Sequence, residues 1–245
     1  MNARTRLISG TGPNGEHVLG VDIELAKNWK TYWRNPGDAG IPPLFDFSGS
    51  KNVAATNIAY PVPHRLEDPA GEAIGYKDKV VFPITIVAAE PGKPVDVALK
   101  LNYAVCEVLC IPVEQELTLR LPVKPDDSPE VLTRSLAAVP SAATGTGTPR
   151  IAKVSRGQEQ GKPHLTVDVL HAKDAAKVDL FAEGPQDWYM PLPREMARHE
   201  TADGVLVTYD IDLSHLPKTA KVGGTEMTFT MAAGNAGTEQ TVNLP

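Results

Sequence analysis

Apolar residues fall on alternate positions twice in one stretch of this chain. On the incoming run they are Val95, Val97, Leu99, Leu101, Tyr103 and Val105; on the outgoing run they are Ile111, Val113, Leu117, Leu119 and Leu121. A period of two predicts two strands of one hairpin. If Cys106 faces Cys110 across the loop, the register pairs Leu99 with Leu117 and Val97 with Leu119 on the buried face. It pairs Lys100 with Glu116 on the other. Pro112 has no N–H to give and is therefore expected opposite Ala104 at a non-hydrogen-bonded site, which makes Cys106 with Cys110 a non-hydrogen-bonded pair too. Such pairs hold Cα atoms roughly 4.5 Å apart, at the short end of what a disulfide spans. Both cysteines share the polar face with Lys100, Asn102, Glu114 and Glu116, so both are expected to be reachable from solvent. The loop Glu107-Val108-Leu109 has no glycine for a left-handed position, which leaves room for strain at the tip.

Further alternating stretches at 17–25, 53–60 and 79–87 join the hairpin runs 94–105 and 111–122, separated by Pro, Gly, Asn and Asp. That spacing predicts an antiparallel sandwich over residues 1–124. Asn35 to Pro43 reads as turn chemistry that no central strand tolerates, and Trp29, Tyr32 and Trp33 before it read as core plugs. Ser128 is a candidate N-cap with Pro129 at the first helical position, predicting a short helix to about Val139. Ser141 to Pro149 has linker composition. Segments 163–171, 177–182, 205–213, 226–233 and 238–244 then predict a second β-sandwich over 150–245. The fold class expected is all-β: two sandwich modules, 1–124 and 150–245, joined by a short helix and linker at 125–149.

Composition narrows the chemistry. The 245 residues are 42% hydrophobic and 22% charged, ordinary for a folded chain. The net charge of −6 is spread thinly with no basic stripe, so nucleic acid is not an expected partner. No window holds ~18 apolar residues in a row. Met1 to Arg6 is polar with no apolar stretch behind it, which taken alone reads as cytoplasmic. A cysteine pair poised to cross-link argues instead for an oxidising compartment. No phosphate loop, nucleophile elbow or H-E-x-x-H motif occurs, and His164, His171, His199 and His215 follow no metal-ligand spacing and read as surface residues. No metal site and no cofactor is expected.

Cys106 and Cys110 are the only cysteines, which makes them the candidate site. From spacing and face, three readings stay open: a redox-active pair, a structural staple, or half of a metal site. A disulfide closing so short a loop removes little entropy from the unfolded chain, so stapling is a weak motive. Glu107 and Glu114 would raise a neighbouring thiol's pKa, and Lys100 lies three pairs down the ladder, so no strongly activated nucleophile is expected.

Trp29 to Gly40, Tyr60-Pro61-Val62-Pro63, Gly75-Tyr76, Val81-Phe82-Pro83-Ile84 and Tyr103 to Pro112 together resemble, in order, the N-terminal periplasmic domain of the thiol:disulfide interchange protein DsbD. The resemblance is strongest to its ScsB (suppressor of copper sensitivity) relatives and covers roughly residues 5–124. It implies an immunoglobulin-like sandwich in the periplasm whose pair, matched by Cys106 and Cys110, cycles between dithiol and disulfide. The pair would take electrons from a membrane-embedded partner domain and pass them to thioredoxin-like proteins, as a component of a protein-disulfide reductase. It matches Cys110 to the exposed sulfur. It also implies a second immunoglobulin-like module, and through ScsB it keeps a Cu(I)-binding alternative in view. Longer relatives carry a membrane domain and a thioredoxin-like domain that this sequence lacks. In DsbD an aromatic side chain on a loop caps the cysteines, whereas the matched loop, His64 to Gly75, offers Pro69 and no aromatic. Tyr76 and that loop are the expected gate, with Tyr103 in the core below the tip.

Overall fold

The computed structural model describes residues 2–12, 16–37, 40–68, 71–122, 129–159, 161–175, 177–186, 188, 190–217 and 219–245. The chain divides into two compact units, Met1–Val139 and Pro140–Pro245.

In the first unit the strands are β1 (Ala3–Thr11), β2 (His17–Leu25), β3 (Lys30–Gly37), β4 (Leu44–Asp46), β5 (Val53–Ile58), β6 (His64–Asp68), β7 (Gly71–Lys77), β8 (Lys79–Ala88), β9 (Val95–Cys106) and β10 (Cys110–Leu121), followed by one helix, α1 (Pro129–Ala137). They form two antiparallel sheets. One has the order β1-β2-β8-β5; the other has β10-β9-β3-β7-β6, with β3 pairing β9 at Lys30 with Cys106 and β4 pairing β9 further along, at Asn102 to Lys100. This is the all-β sandwich expected, and its core is where the alternation placed it. Val97, Leu99, Leu101, Tyr103 and Val105 are buried, as are Val21, Ile23, Phe82 and Ile84 of the facing sheet. The Tyr103 hydroxyl and Thr5 Oγ1 lie 2.6 Å apart between the sheets, and burial raises the Tyr103 pKa while that hydrogen bond opposes it.

The β9–β10 register agrees with the sequence residue for residue: Cys110 with Cys106, Pro112 with Ala104, Glu116 with Lys100, Leu117 with Leu99 and Leu119 with Val97. Two expectations fail nearby. Asn35, Pro36 and Gly37 lie in β3, because a bulge between Tyr32 and Gly37 takes them out of the regular ladder. Tyr76 is in the sandwich core, donating to the Pro61 carbonyl at 2.8 Å and meeting the Phe82 ring edge-on at 5.5 Å. It does not gate the cysteines.

Leu132 of α1 is buried with Ile8, Val18 and Val81, and Val131 and Leu136 pack against the same group. A Cβ at Gly10 would come within 2.7 Å of the Leu132 side chain, which is why β1 is bare there. The expected N-cap, Ser128, lies outside the described residues.

The second unit holds β11 (Ser141–Ala142), β12 (Arg150–Glu159), β13 (Lys162–His171), β14 (Val178–Glu183), β15 (Arg194–Glu200), β16 (Val205–Asp212), β17 (Glu226–Ala233) and β18 (Ala236–Asn243). They make the sheets β11-β18-β17-β14 and β12-β13-β16-β15. Leu165, Val167, Val169, Val207, Tyr209 and Ile211 of one sheet form a single core with Leu180, Phe229 and Met231 of the other. His199 and His215 are exposed, as expected, but His164 and His171 are buried. His164 is held by Asp210, 2.8 Å from its Nδ1, and that carboxylate also accepts from Arg194. His171 continues the core-facing series Leu165, Val167, Val169.

Candidate functional site

β9 ends at Cys106 and β10 begins at Cys110. The two are joined by a disulfide with Cα atoms 4.2 Å apart, the close spacing of a non-hydrogen-bonded pair. The loop Glu107–Leu109 is built without a left-handed residue; among the described non-glycine residues that conformation is taken by Asn28, Asn52 and Asp78. Val108 and Leu109 project into solvent at 76% exposure each, and Ile111 is 41% exposed.

The two sulfurs do not share one environment. Cys110 is exposed at the start of an edge strand, whereas Cys106, one strand further in, is 1% exposed. This corrects the expectation that both are reachable. The face is the one the alternation assigned, but something covers half of it. Tyr32 of β3, Leu66 of β6 and Ala73 of β7 form a cluster with Ala104 and Cys106. The β6–β7 hairpin thus shields Cys106 with aliphatic side chains, and the aromatic contribution comes from β3. The Tyr32 hydroxyl lies 3.3 Å from Cys110 Sγ, close enough to hydrogen-bond either oxidation state of that sulfur.

Close approach of backbones makes the cover. A Cβ at Gly75 would lie 2.0 Å from the Thr31 carbonyl oxygen and 2.9 Å from Tyr32 Cα, so β7 can meet β3 there only with a glycine. Thr31 Oγ1 donates to the Ala104 carbonyl at 2.9 Å and ties β3 to β9. The backbone pairing of those two strands is at Lys30 with Cys106. Lys30 is 4% exposed, and its Nζ donates to the Glu67 carbonyl at 2.9 Å.

Lys30 and Tyr32 are site residues that the sequence reading missed, whereas Leu66 and Ala73, which pack with Cys106, lie in the His64–Gly75 segment expected to gate it. The signal for the first two was the period of two: Lys30 and Tyr32 share a face, but only if Lys30–Gly37 is a strand. Glu107 and Glu114 are exposed, and Lys100 is 60% exposed with its Nζ 4.0 Å from Glu116, too solvated to act on the cysteines. Among the described residues no group of three or more His, Cys, Asp or Glu is placed to hold a metal ion, and no helix is long and apolar enough to cross a membrane.

Residues 4–122 match the family described as "Thiol:disulfide interchange protein DsbD, N-terminal". No curated protein matches the chain. Among solved structures, the N-terminal periplasmic domain of ScsB from Proteus mirabilis is similar over 99% of this chain and 93% of its own, with a TM-score of 0.75 and 21% identity. At that identity the likeness establishes the fold, and it extends through both units. A marsupial T cell receptor aligns over 98% of this chain and all of its own at 10% identity, but its TM-score of 0.25 gives it no weight.

Proposed function

Residues 4–122 belong to the DsbD N-terminal domain family, and from that premise we propose that the chain is a periplasmic thiol–disulfide exchange module that relays electrons through Cys106 and Cys110. Its donor is a membrane-embedded reductase domain of the DsbD or ScsB kind, and its acceptors are thioredoxin-like proteins. The observation that carries this reading is the unequal exposure of the two sulfurs. Exchange requires a thiolate to approach one sulfur in line with the S–S bond while the other departs. Cys110 offers the approach, and Cys106 is placed to depart.

In the reducing half-cycle a donor thiolate attacks Cys110 Sγ. The new bond joins donor sulfur to Cys110, the Cys106–Cys110 bond breaks, and its electron pair stays on Cys106 as a thiolate. A second donor thiolate then attacks the donor's own sulfur in the mixed disulfide. It leaves the donor oxidised and Cys110 reduced, and a proton from solvent completes each thiol. Passing electrons onward is the same sequence reversed, with Cys110 attacking the acceptor disulfide and Cys106 resolving the mixed disulfide. Val108, Leu109 and Ile111 around Cys110 supply apolar surface for the partner that must dock there. The periplasmic location of the similar Proteus mirabilis ScsB domain supports the compartment.

Replacing Cys106 by Ala removes the resolving thiol, so Cys110 is expected to hold a thioredoxin-fold protein as a stable mixed disulfide in periplasmic extracts. Replacing Cys110 by Ala should trap far less, because Cys106 is covered. If neither variant captures such a protein, and the wild-type disulfide stays oxidised against every reduced donor, the exchange reading fails. A reduction potential below about −300 mV would then mark the pair as a staple.

A further inference from the structure

Large apolar side chains rarely stand exposed in groups, and on the first unit they gather around one sulfur. Among the described residues, five of the seven such side chains are Ile41, Leu44, Val108, Leu109 and Ile111. The last three form the hairpin tip. The first two come from the segment that leads into β4, where they are 52% and 63% exposed. Two observations bring that segment to the cysteine face. A Cβ at Gly40 would lie 2.7 Å from Tyr32 Cδ1, so the chain runs against the ring whose hydroxyl is 3.3 Å from Cys110 Sγ. Leu44 then pairs with Asn102, which pairs with Glu114, and cross-strand partners share a face. Counting by twos along β9 from Asn102 through Ala104 reaches Cys106, so Leu44 leaves the sheet on the side that carries the disulfide. Its neighbour Phe45 turns the other way, edge-on to the buried ring of Phe82.

We propose that Ile41 and Leu44 are the second half of the surface on which a thioredoxin-like exchange partner docks, and that they determine which partner's thiolate reaches Cys110. The proposal rests on the exchange reading and deepens it. Redox partners that must also let go bury less than about 1,200 Å² in all, so one side of the contact is a disc about 28 Å across. Leu44 lies four residues along and two strands over from Cys110, about 16 Å at the spacings of a sheet. A single disc of that size covers the tip, Cys110 and Leu44 together. Between them the face carries Pro112, Asn102 and Glu114, all exposed. The contact is apolar at two ends and polar between, a mix that suits an encounter which forms and dissolves in each cycle. A second copy of this chain seated on the same face would cover Cys110 and stop exchange. The occupant is therefore the exchange partner itself, a thioredoxin-fold protein with apolar surface beside its reactive cysteine. Small thiols need no such surface.

The test reduces the disulfide of the full chain with two reagents, reduced thioredoxin and dithiothreitol, and compares the second-order rates. Ile41→Ser combined with Leu44→Ser is expected to slow reduction by thioredoxin about tenfold, the loss of one strong interface contact, and to leave reduction by dithiothreitol at the wild-type rate. Val87→Ser removes a side chain of similar exposure from β8 in the other sheet and should change neither rate. An unchanged thioredoxin rate in the double variant overturns the proposal. So does a fall in both rates together, which makes the segment a prop for Cys110 and not a docking surface. So does a wild-type chain that sediments as a dimer beside a double variant that sediments as a monomer, since the patch then belongs to a second copy. A wild-type disulfide that dithiothreitol reduces and thioredoxin does not defeats the exchange reading, and this proposal with it. A wild type that reacts with thioredoxin and a double variant that keeps pace defeats this proposal alone.

Discussion

His171 shows what a single side chain on the wrong face does to a sandwich. It follows Leu165, Val167 and Val169 on the core face of β13, is fully buried, and among the described residues neither ring nitrogen has a hydrogen-bond partner. Burial, with a smaller push from Arg198 and against the opposing pull of Glu195, lowers its pKa from 6.5 to about 4. The unfolded chain therefore takes up this proton near pH 6.5, whereas the folded chain takes it up only near pH 4. Its contribution to stability is complete above the higher value and is lost as pH falls through the window between the two. At the acid end the loss reaches about 3 kcal/mol. Urea unfolding of the second unit, repeated from neutral pH downward, should show this fall, and His171→Leu should flatten it. A variant as acid-sensitive as the wild type would assign the effect to another group.

Among the elements, the β6–β7 hairpin decides what the cysteine pair can do. It reaches the cysteine face because Gly75 lets β7 come against the backbone of β3, and it covers Cys106 through Leu66 and Ala73. Gly75→Ala places a methyl group 2.0 Å from the Thr31 carbonyl, backbone against backbone, so the strand has to move. The expected cost is about 2–3 kcal/mol by denaturant midpoint. In the Cys110→Ala background, alkylation of Cys106 should accelerate severalfold. Gly145→Ala, where a Cβ meets nothing within 4 Å, is the neutral control. Alkylation at the parental rate in a folded Gly75→Ala protein would mean that the cover does not depend on this close approach.

For the whole molecule, the question is how much chain the exchange site needs. The family match ends at residue 122, but α1 lies beyond it and buries Leu132 against Ile8, Val18 and Val81. A fragment of residues 1–139 is therefore expected to fold and to exchange its disulfide at the rate of the full chain. A fragment ending at 122 leaves that apolar group in water and should lose about 2–4 kcal/mol, the worth of one or two buried leucine-sized side chains. Thermal melting and disulfide reduction of the two fragments check this. Loss of exchange in a folded 1–139 fragment would assign the second unit a part in the site.

The local part of this structure was legible in the sequence. The β9–β10 register followed from alternation and from the missing N–H of Pro112, because a period of two and a hydrogen-bonding rule act between residues a few positions apart. The strand positions around 17–25, 79–88 and 205–212 were equally clear, since an apolar face repeats within each. β3 was not, because Asn35-Pro36-Gly37 is turn chemistry and only a bulge against β7 makes it tolerable in a sheet. The sign of the chemistry, two cysteines at a hairpin tip, was also local. What covers them was legible only through the family resemblance, which pointed to the 64–75 segment: Tyr32, Leu66, Ala73 and Cys106 meet only once β3, β6, β7 and β9 share one sheet. Alternation assigns a side chain to a face. Whether that face is wet depends on which distant backbone is able to approach it, and here a glycine at position 75 leaves one cysteine open and closes the other.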